Sequence, residues 1–177
     1  MKIIEAMKQV KDLLRKAGDL RNKIEEHAAD LDIHTPRYDT VEAQSEKVRE
    51  WLQGHEGIMR EVCRLKTAIQ RTNIATQVTI ELGDQAVTKT IAEWVYRRRD
   101  LAKWDLAAWV ALGKIERSGR IQEGSIKGMD GSESRMVKIR RYYSPDERDR
   151  KMEVYASEPT IIDGRLEVTN AVTDLIE

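Results

Sequence analysis

Two rows of apolar residues, each spaced by seven, constrain this chain more than any other feature. Val41, Val48, His55, Val62 and Ile69 occupy one row, and Trp51, Ile58 and Leu65 the other. A repeat averaging 3.5 residues keeps both rows on one side of an α-helix, and that side needs a facing helix. The spacing predicts a helix over residues 40–72. An earlier stretch repeats the pattern. Ile3, Val10, Ala17 and Ile24 are spaced by seven, Met7, Leu14, Arg21 and Ala28 form a second row four residues on, and Leu13 and Leu20 widen the seam. Residues 2–30 read as a first helix, with the stem of Arg21 along the seam and its head in water. Ile33-His34-Thr35-Pro36 ends it, because proline disfavours helix in the residue before it. Asp39-Thr40-Val41-Glu42 reads as a capping box led by Asp39. Two long helices joined by so short a loop fold back as an antiparallel hairpin.

The period then changes. Val78, Ile80 and Leu82 alternate with polar residues, and Gly83-Asp84 supplies a turn, so residues 76–87 read as a β-hairpin arm. A third helix is expected from Thr88 or Thr90 to Leu112, with Trp94, Leu101 and Ala108 in one row. Apolar residues cover more than one of its faces, which predicts the most buried helix of the chain. Gly113 stops it. Residues 113–135 read as a flexible insertion loop. Residues 136–143 and 151–155 read as two strands around Ser144-Pro145-Asp146, and residues 158–175 as a last helix weakened by Gly164. The expected fold class is mainly α: a long-helix hairpin or bundle with one or two small β-hairpin arms. The expected domains are 1–112 (helices and β-arm), 113–135 (insertion) and 136–177 (β-hairpin and a helix packing back on the bundle).

Composition narrows the function. Lys plus Arg and Asp plus Glu each number 31, so the chain lacks the basic excess of a dedicated nucleic-acid binder. There is no Phe, which fits narrow helical seams. Cys63 is the one cysteine, so an internal disulfide is excluded and a reducing compartment is expected. The charged opening turns are not a signal peptide, and no apolar run approaches the ~20 residues of a membrane span.

Three segments resemble the septicolysin-like family of poorly characterised bacterial and phage helical proteins. They are Met1-Lys2-Ile3-Ile4-Glu5-Ala6-Met7; Ile69-Gln70-Arg71-Thr72-Asn73-Ile74-Ala75-Thr76 with Thr88 and Arg99-Asp100-Leu101; and Ile162 to Asn170 with Thr173-Asp174-Leu175. The resemblance spans most of the chain. It implies a helical fold with an Asn-Thr hinge, and its name implies a toxin. It brings no catalytic residues. Residues 113–135 stand as an insertion against the family pattern, and Ala171 or Val172 replaces the family's aromatic near the end.

His55, on the apolar row between Gly54 and Gly57, is either a pH switch or ligand, or a polar residue that sets helix register; the second is expected. His27, Asp30, Asp32 and His34 cluster without a known ligand spacing, so no metal site is expected. Asn73 is expected to cap the second helix, with Arg71 paired to an acidic neighbour. Arg97, Arg98 and Arg99 point around a helix, so at least one faces inward, and an Arg98 or Arg99 ion pair is expected. Lys138, Arg140, Arg141 and Tyr142 form the candidate nucleic-acid contact, although Asp146, Glu147 and Asp149 offset its charge. Cys63 reads as a quiet, partly buried thiol. Trp51, Trp94, Trp104 and Trp109 read as core or interface anchors. No phosphate loop, nucleophile elbow or His-Glu-x-x-His is present, so neither catalysis nor a cofactor is expected.

The leading expectation is a non-enzymatic assembly protein that forms homo-oligomers or docks with other structural proteins. A minor capsid, decoration or connector role in a phage particle would suit it, either in the cytoplasm or in the virion. The candidate interface is Val48, Trp51, His55, Ile58 and Leu65. The alternatives are a nucleic-acid module built on strand 138–143 and a cytolysin-like membrane-active protein.

Overall fold

The computed structural model describes residues 1–126 and 135–176. The chain is mainly helical, with two long helices packed antiparallel and two small two-stranded antiparallel sheets. It divides into two compact units: Met1–Thr76 with Glu167–Glu177, and Gln77–Leu166. This division by contacts falls at Thr76 and Leu166, whereas the sequence expectation divides the chain at 112 and 135. Of the expected insertion loop, residues 127–134 lie outside the described residues.

In the first unit, α1 (Ile3–His27) packs on α2 (Val41–Ala75). The seam of α2 follows the predicted rows from Val48 onward, and Val41 is 65 % exposed. That of α1 keeps Ile3, Val10, Ala17 and Ile24, but its second row is Ala6, Leu13, Leu20 and His27, three residues on rather than four. Met7 and Leu14 are 49 % and 45 % exposed. Offsets of three and four approximate half a heptad equally well, and side-chain size decides between them. Ala6 and Ala17 are small, and a Cβ on Gly54 would sit 3.4 Å from Leu20 Cδ1, so the helices approach closely on that side. Ala6, Val10, Val62 and Leu65 form the core, with Leu13, Ile58, Met59, Ile69 and Leu175 against it. A side chain buried as fully as Leu65 contributes about 2 kcal/mol.

The cap of α2 falls one residue later than predicted. Thr40 Oγ1 accepts the Ala43 N–H at 3.1 Å, while Asp39 takes the left-handed region at φ 68°. Short polar side chains tolerate that conformation. The C-terminal segment closes this unit. Ile3 N–H donates to the Thr173 carbonyl and Leu175 N–H to the Met1 carbonyl. Ile176 N–H donates to Oγ1 of buried Thr72.

In the second unit, β1 (Gln77–Leu82) pairs antiparallel with β2 (Gln85–Thr90), and Gly83 turns between them at φ 59°. Thr90 caps α3 (Ile91–Tyr96). A π-helical turn, Arg97–Leu101, joins α3 to α4 (Ala102–Leu112). A short α5 (Lys114–Arg117) follows, then β3 (Gly124–Ile126) paired with β4 (Arg135–Val137), then α6 (Pro145–Val172).

Two expectations are corrected here. The third helix is not the most buried: the π-turn widens one turn by a residue, so Ala102 rather than Leu101 follows Trp94 into the interior, and Leu101 is 46 % exposed. Of the strand expected at 136–143 only residues 136–137 form, within β4, and residues 151–155 are helical. β4 ends at Val137, residues 138–144 have no regular structure, and α6 starts at Pro145. Ser144 and Pro145 start a helix rather than a hairpin turn. The Ser144 Oγ accepts the Glu147 N–H, and proline suits the first helical position, where its missing N–H costs nothing.

The two halves of the chain share a plan. Thr72-Asn73-Ile74-Ala75-Thr76 ends α2, and Thr169-Asn170-Ala171-Val172-Thr173 ends α6. Each leads into an extended segment paired antiparallel, β1 with β2 and Asp174 with Lys2. Each partner segment starts a helix whose third residue, Glu5 or Glu93, accepts the cap residue's N–H at 2.7 Å. Ile3 matches Ile91, Ala6 matches Trp94 and Leu65 matches Ile162, all 0–1 % exposed.

Candidate functional site

A largely buried polar network lies in the second unit, at the start of the π-turn. Arg97 Nε and Nη2 donate to the two oxygens of Glu158 at 2.7 and 2.6 Å, and Nη1 donates to Asp105 at 2.6 Å. The Glu158 side chain is 1 % exposed and that of Arg97 19 %. A bidentate fork of this kind holds both partners in fixed orientation. Hydrogen bonds from Arg97, first to Glu158 and then to Asp105, hold the guanidinium above its ordinary pKa against the opposing effect of burial. It is a cation at every pH the fold survives. The Tyr155 ring lies 5.7 Å from the guanidinium carbon. Trp94, fully buried, donates its indole N–H to the Val78 carbonyl at 2.9 Å, which fixes α3 on β1.

By register in the shared plan, the counterparts of Arg97 and Glu158 are Gln9 and Glu61. Glu61 is bound instead by Arg64 on its own helix. The buried ion network therefore belongs to the second half alone, as does the π-turn, a feature frequent at functional sites.

Next to this network, α4 presents the reverse character. Every residue of α4 except Lys103 and Asp105 is apolar, yet Ala102 is its one buried residue. Trp104 is 74 % exposed. α4 packs chiefly with its sequence neighbours, the π-turn and α5. Tyr96, Leu101, Leu112 and Ile115 extend the exposed apolar surface along the same run.

The expected interface row lies elsewhere. Leu65 has no exposed surface, and Ile58 packs on the core of the first unit. Trp51 sits 5.6 Å from the His27 ring and 6.0 Å from that of Tyr38. Val48 and His55 are half-buried on the same face of α2. Trp51, Ile58 and Leu65 meet residues of α1, so a partner outside the chain would have to compete with it at those positions. The nucleic-acid candidates are not on a strand. Arg141 is held by Glu116 through three hydrogen bonds, and Tyr143 donates to the same carboxylate. Lys138, Arg140 and Tyr142 are exposed on irregular backbone.

Other expectations change in detail. Arg97 is the inward arginine of its run; Arg98 pairs with Asp163, as expected of that run, and Arg99 with its neighbour Asp100. Asn73 lies inside α2, whose C-cap is Thr76, and its Oδ1 is buried without a hydrogen-bond partner among the described residues. Arg71 forms no salt bridge among them, and Cys63 is exposed rather than partly buried. Among the described residues no group of three His, Cys, Asp or Glu is placed to hold a metal, and no helix is long and apolar enough to cross a membrane. The exposed α4 escaped sequence reasoning because it depends on the π-turn, which leaves no mark in residue spacing, and the Arg97–Glu158 pair because residues 151–155 read as a strand, which hides the inward position of Glu158 on α6.

No family model and no curated protein matches the chain. It is similar to a solved structure, a functionally unknown conserved protein from Corynebacterium diphtheriae, at 20 % identity over 99 % of each chain with a TM-score of 0.56. That likeness shows the fold alone.

Proposed function

We propose that this chain is a non-enzymatic assembly protein that associates with copies of itself through α4. One observation carries the reading: a helix with nine apolar residues among eleven has one fully buried residue, and its Trp104 is 74 % exposed. A helix of that kind is normally enclosed by protein, and exposed apolar patches rimmed by polar residues mark interaction surfaces. A second copy fits as the occupant on three grounds. The chain is neutral overall, with 31 cationic and 31 anionic side chains, so copies do not repel at long range. The two charges of α4, on Lys103 and Asp105, are of opposite sign, and a two-fold contact can set one against the other. The helical run from Ile91 to Arg117 is also roughly 40 Å long, enough for the ~800 Å² per partner of a stable interface.

Cross-linking tests this directly. With Cys63→Ser removing the native thiol, Ala108→Cys places a single cysteine on α4, and Lys11→Cys places one on the exposed face of α1 as control. A short bis-maleimide should give covalent dimers of the Ala108→Cys protein and few of the control. Monomers alone from both would overturn the reading.

A further inference from the structure

The second unit also holds a groove of about 320 Å³ between the β1–β2 turn and α6. This is the small end of ligand-sized clefts, which run from ~300 to ~1,000 Å³. A Cβ on Gly83 would meet Val154 Cγ2 at 3.2 Å, so the turn lies against α6 and closes one end. The wall is apolar where Leu82, Val87 and Val154 line it. The Arg97–Glu158 pair also lines it, and each neutralises the other.

The remaining charge is lopsided. Outside that pair, three cations, Lys89, Arg150 and Lys151, line it with one carboxylate, Asp84, in a chain that is neutral overall. Lys89 and Lys151 are half-buried, and neither forms a salt bridge among the described residues. Arg150 is exposed at the rim. A concave surface with an excess of one sign of charge and low-dielectric walls concentrates its field and draws in counter-charge.

We propose that this groove binds a small amphipathic anion, with Lys89 and Lys151 meeting a single acidic head and Leu82, Val87 and Val154 enclosing a short hydrocarbon body. The site is separate from α4 and does not depend on the assembly reading. Lys89 also lies near Glu93, so the head is held chiefly by Lys151, and an acid without a tail would leave the apolar wall uncovered.

Calorimetric titration of the full chain with octanoate, octyl phosphate, acetate and octanol tests it. Octanoate or octyl phosphate should bind one per chain, and acetate and octanol at least about tenfold more weakly. The tighter of the two acids identifies the head as carboxylate or phosphate. Lys89→Met with Lys151→Met should weaken the acid at least about tenfold and leave octanol unchanged. Amide chemical shifts perturbed by the acid should fall within residues 82–89 and 150–158 of the native protein, a readout that needs no variant. The proposal is overturned if neither acid binds, if octanol binds as well as the acids, or if the perturbed amides lie elsewhere.

Discussion

Arg97 and Glu158 set the residue-scale energetics of the second unit. Glu158 is almost wholly enclosed, so removing either partner strands a charge. Glu158→Ala is expected to cost about 3 kcal/mol in urea unfolding. Asp105→Ala should cost less than about 1 kcal/mol, because that carboxylate is 44 % exposed. The double change Arg97→Met with Glu158→Leu should recover most of the loss, since an apolar pair requires no desolvation of charge. A double variant as unstable as Glu158→Ala would show that the site depends on the ion pair itself. The sequence showed that a run of three arginines must turn one inward. It did not show which, because Arg97 and Arg98, three and four residues after Trp94, lie on the same helical face.

Carboxylates give the fold its acid sensitivity. The Glu93 pKa is lowered, first by the Thr90 backbone N–H and then by its hydroxyl, and that of Glu116 is lowered by Arg141 and then Tyr143. A carboxyl whose folded pKa lies below its unfolded value stabilises the fold fully above the unfolded value, about 4.3. That contribution fades as pH falls through the folded value. Urea midpoints should therefore drop as pH falls below about 5. Glu93→Gln should flatten that drop while lowering the midpoint at neutral pH. An unchanged pH profile in the variant would refute the assignment.

At the scale of elements, the hairpin was legible because both seams repeat over many turns. The second row of α1 was misplaced because a heptad divides as three and four in either order, and packing depth against Gly54 settles the order. α6 was misread for a different reason. Its inward positions include Lys151, Tyr155 and Glu158, so the helical stripe is polar there and Met152 and Val154 imitate a strand. The Ser-Pro-Asp-Glu start was the available signal. Two glycines offer a test of the long helices. Gly18 of α1 and Gly57 of α2 have nothing within 4 Å of an added Cβ. Gly18→Ala and Gly57→Ala should each stabilise by ~0.5–1 kcal/mol. Loss of stability in either would mean that helix packing there is closer than described.

For the whole molecule, the shared plan of the two halves explains which parts of the chain differ in use. Both halves use a Thr-Asn-x-x-Thr helix end, an antiparallel pairing and a glutamate at the start of the next helix. The second half alone adds the π-turn, the buried ion pair and α4. Had the third helix stayed in α register, Leu101 would have followed Trp94 inward and α4 would have been rotated by about 100°. Arg97, three residues after Trp94, still follows the α register of α3, and the insertion turns the residues after it, leaving Leu101 and Trp104 exposed. Molecular mass by light scattering on a sizing column, across a concentration series, tests the resulting claim most directly. The native chain should rise from 20.4 kDa toward a defined multiple, and Trp104→Glu should hold it at the monomer mass with the fold intact. A native chain that stays monomeric at every concentration, or a Trp104→Glu variant that associates as well as the native one, would contradict it.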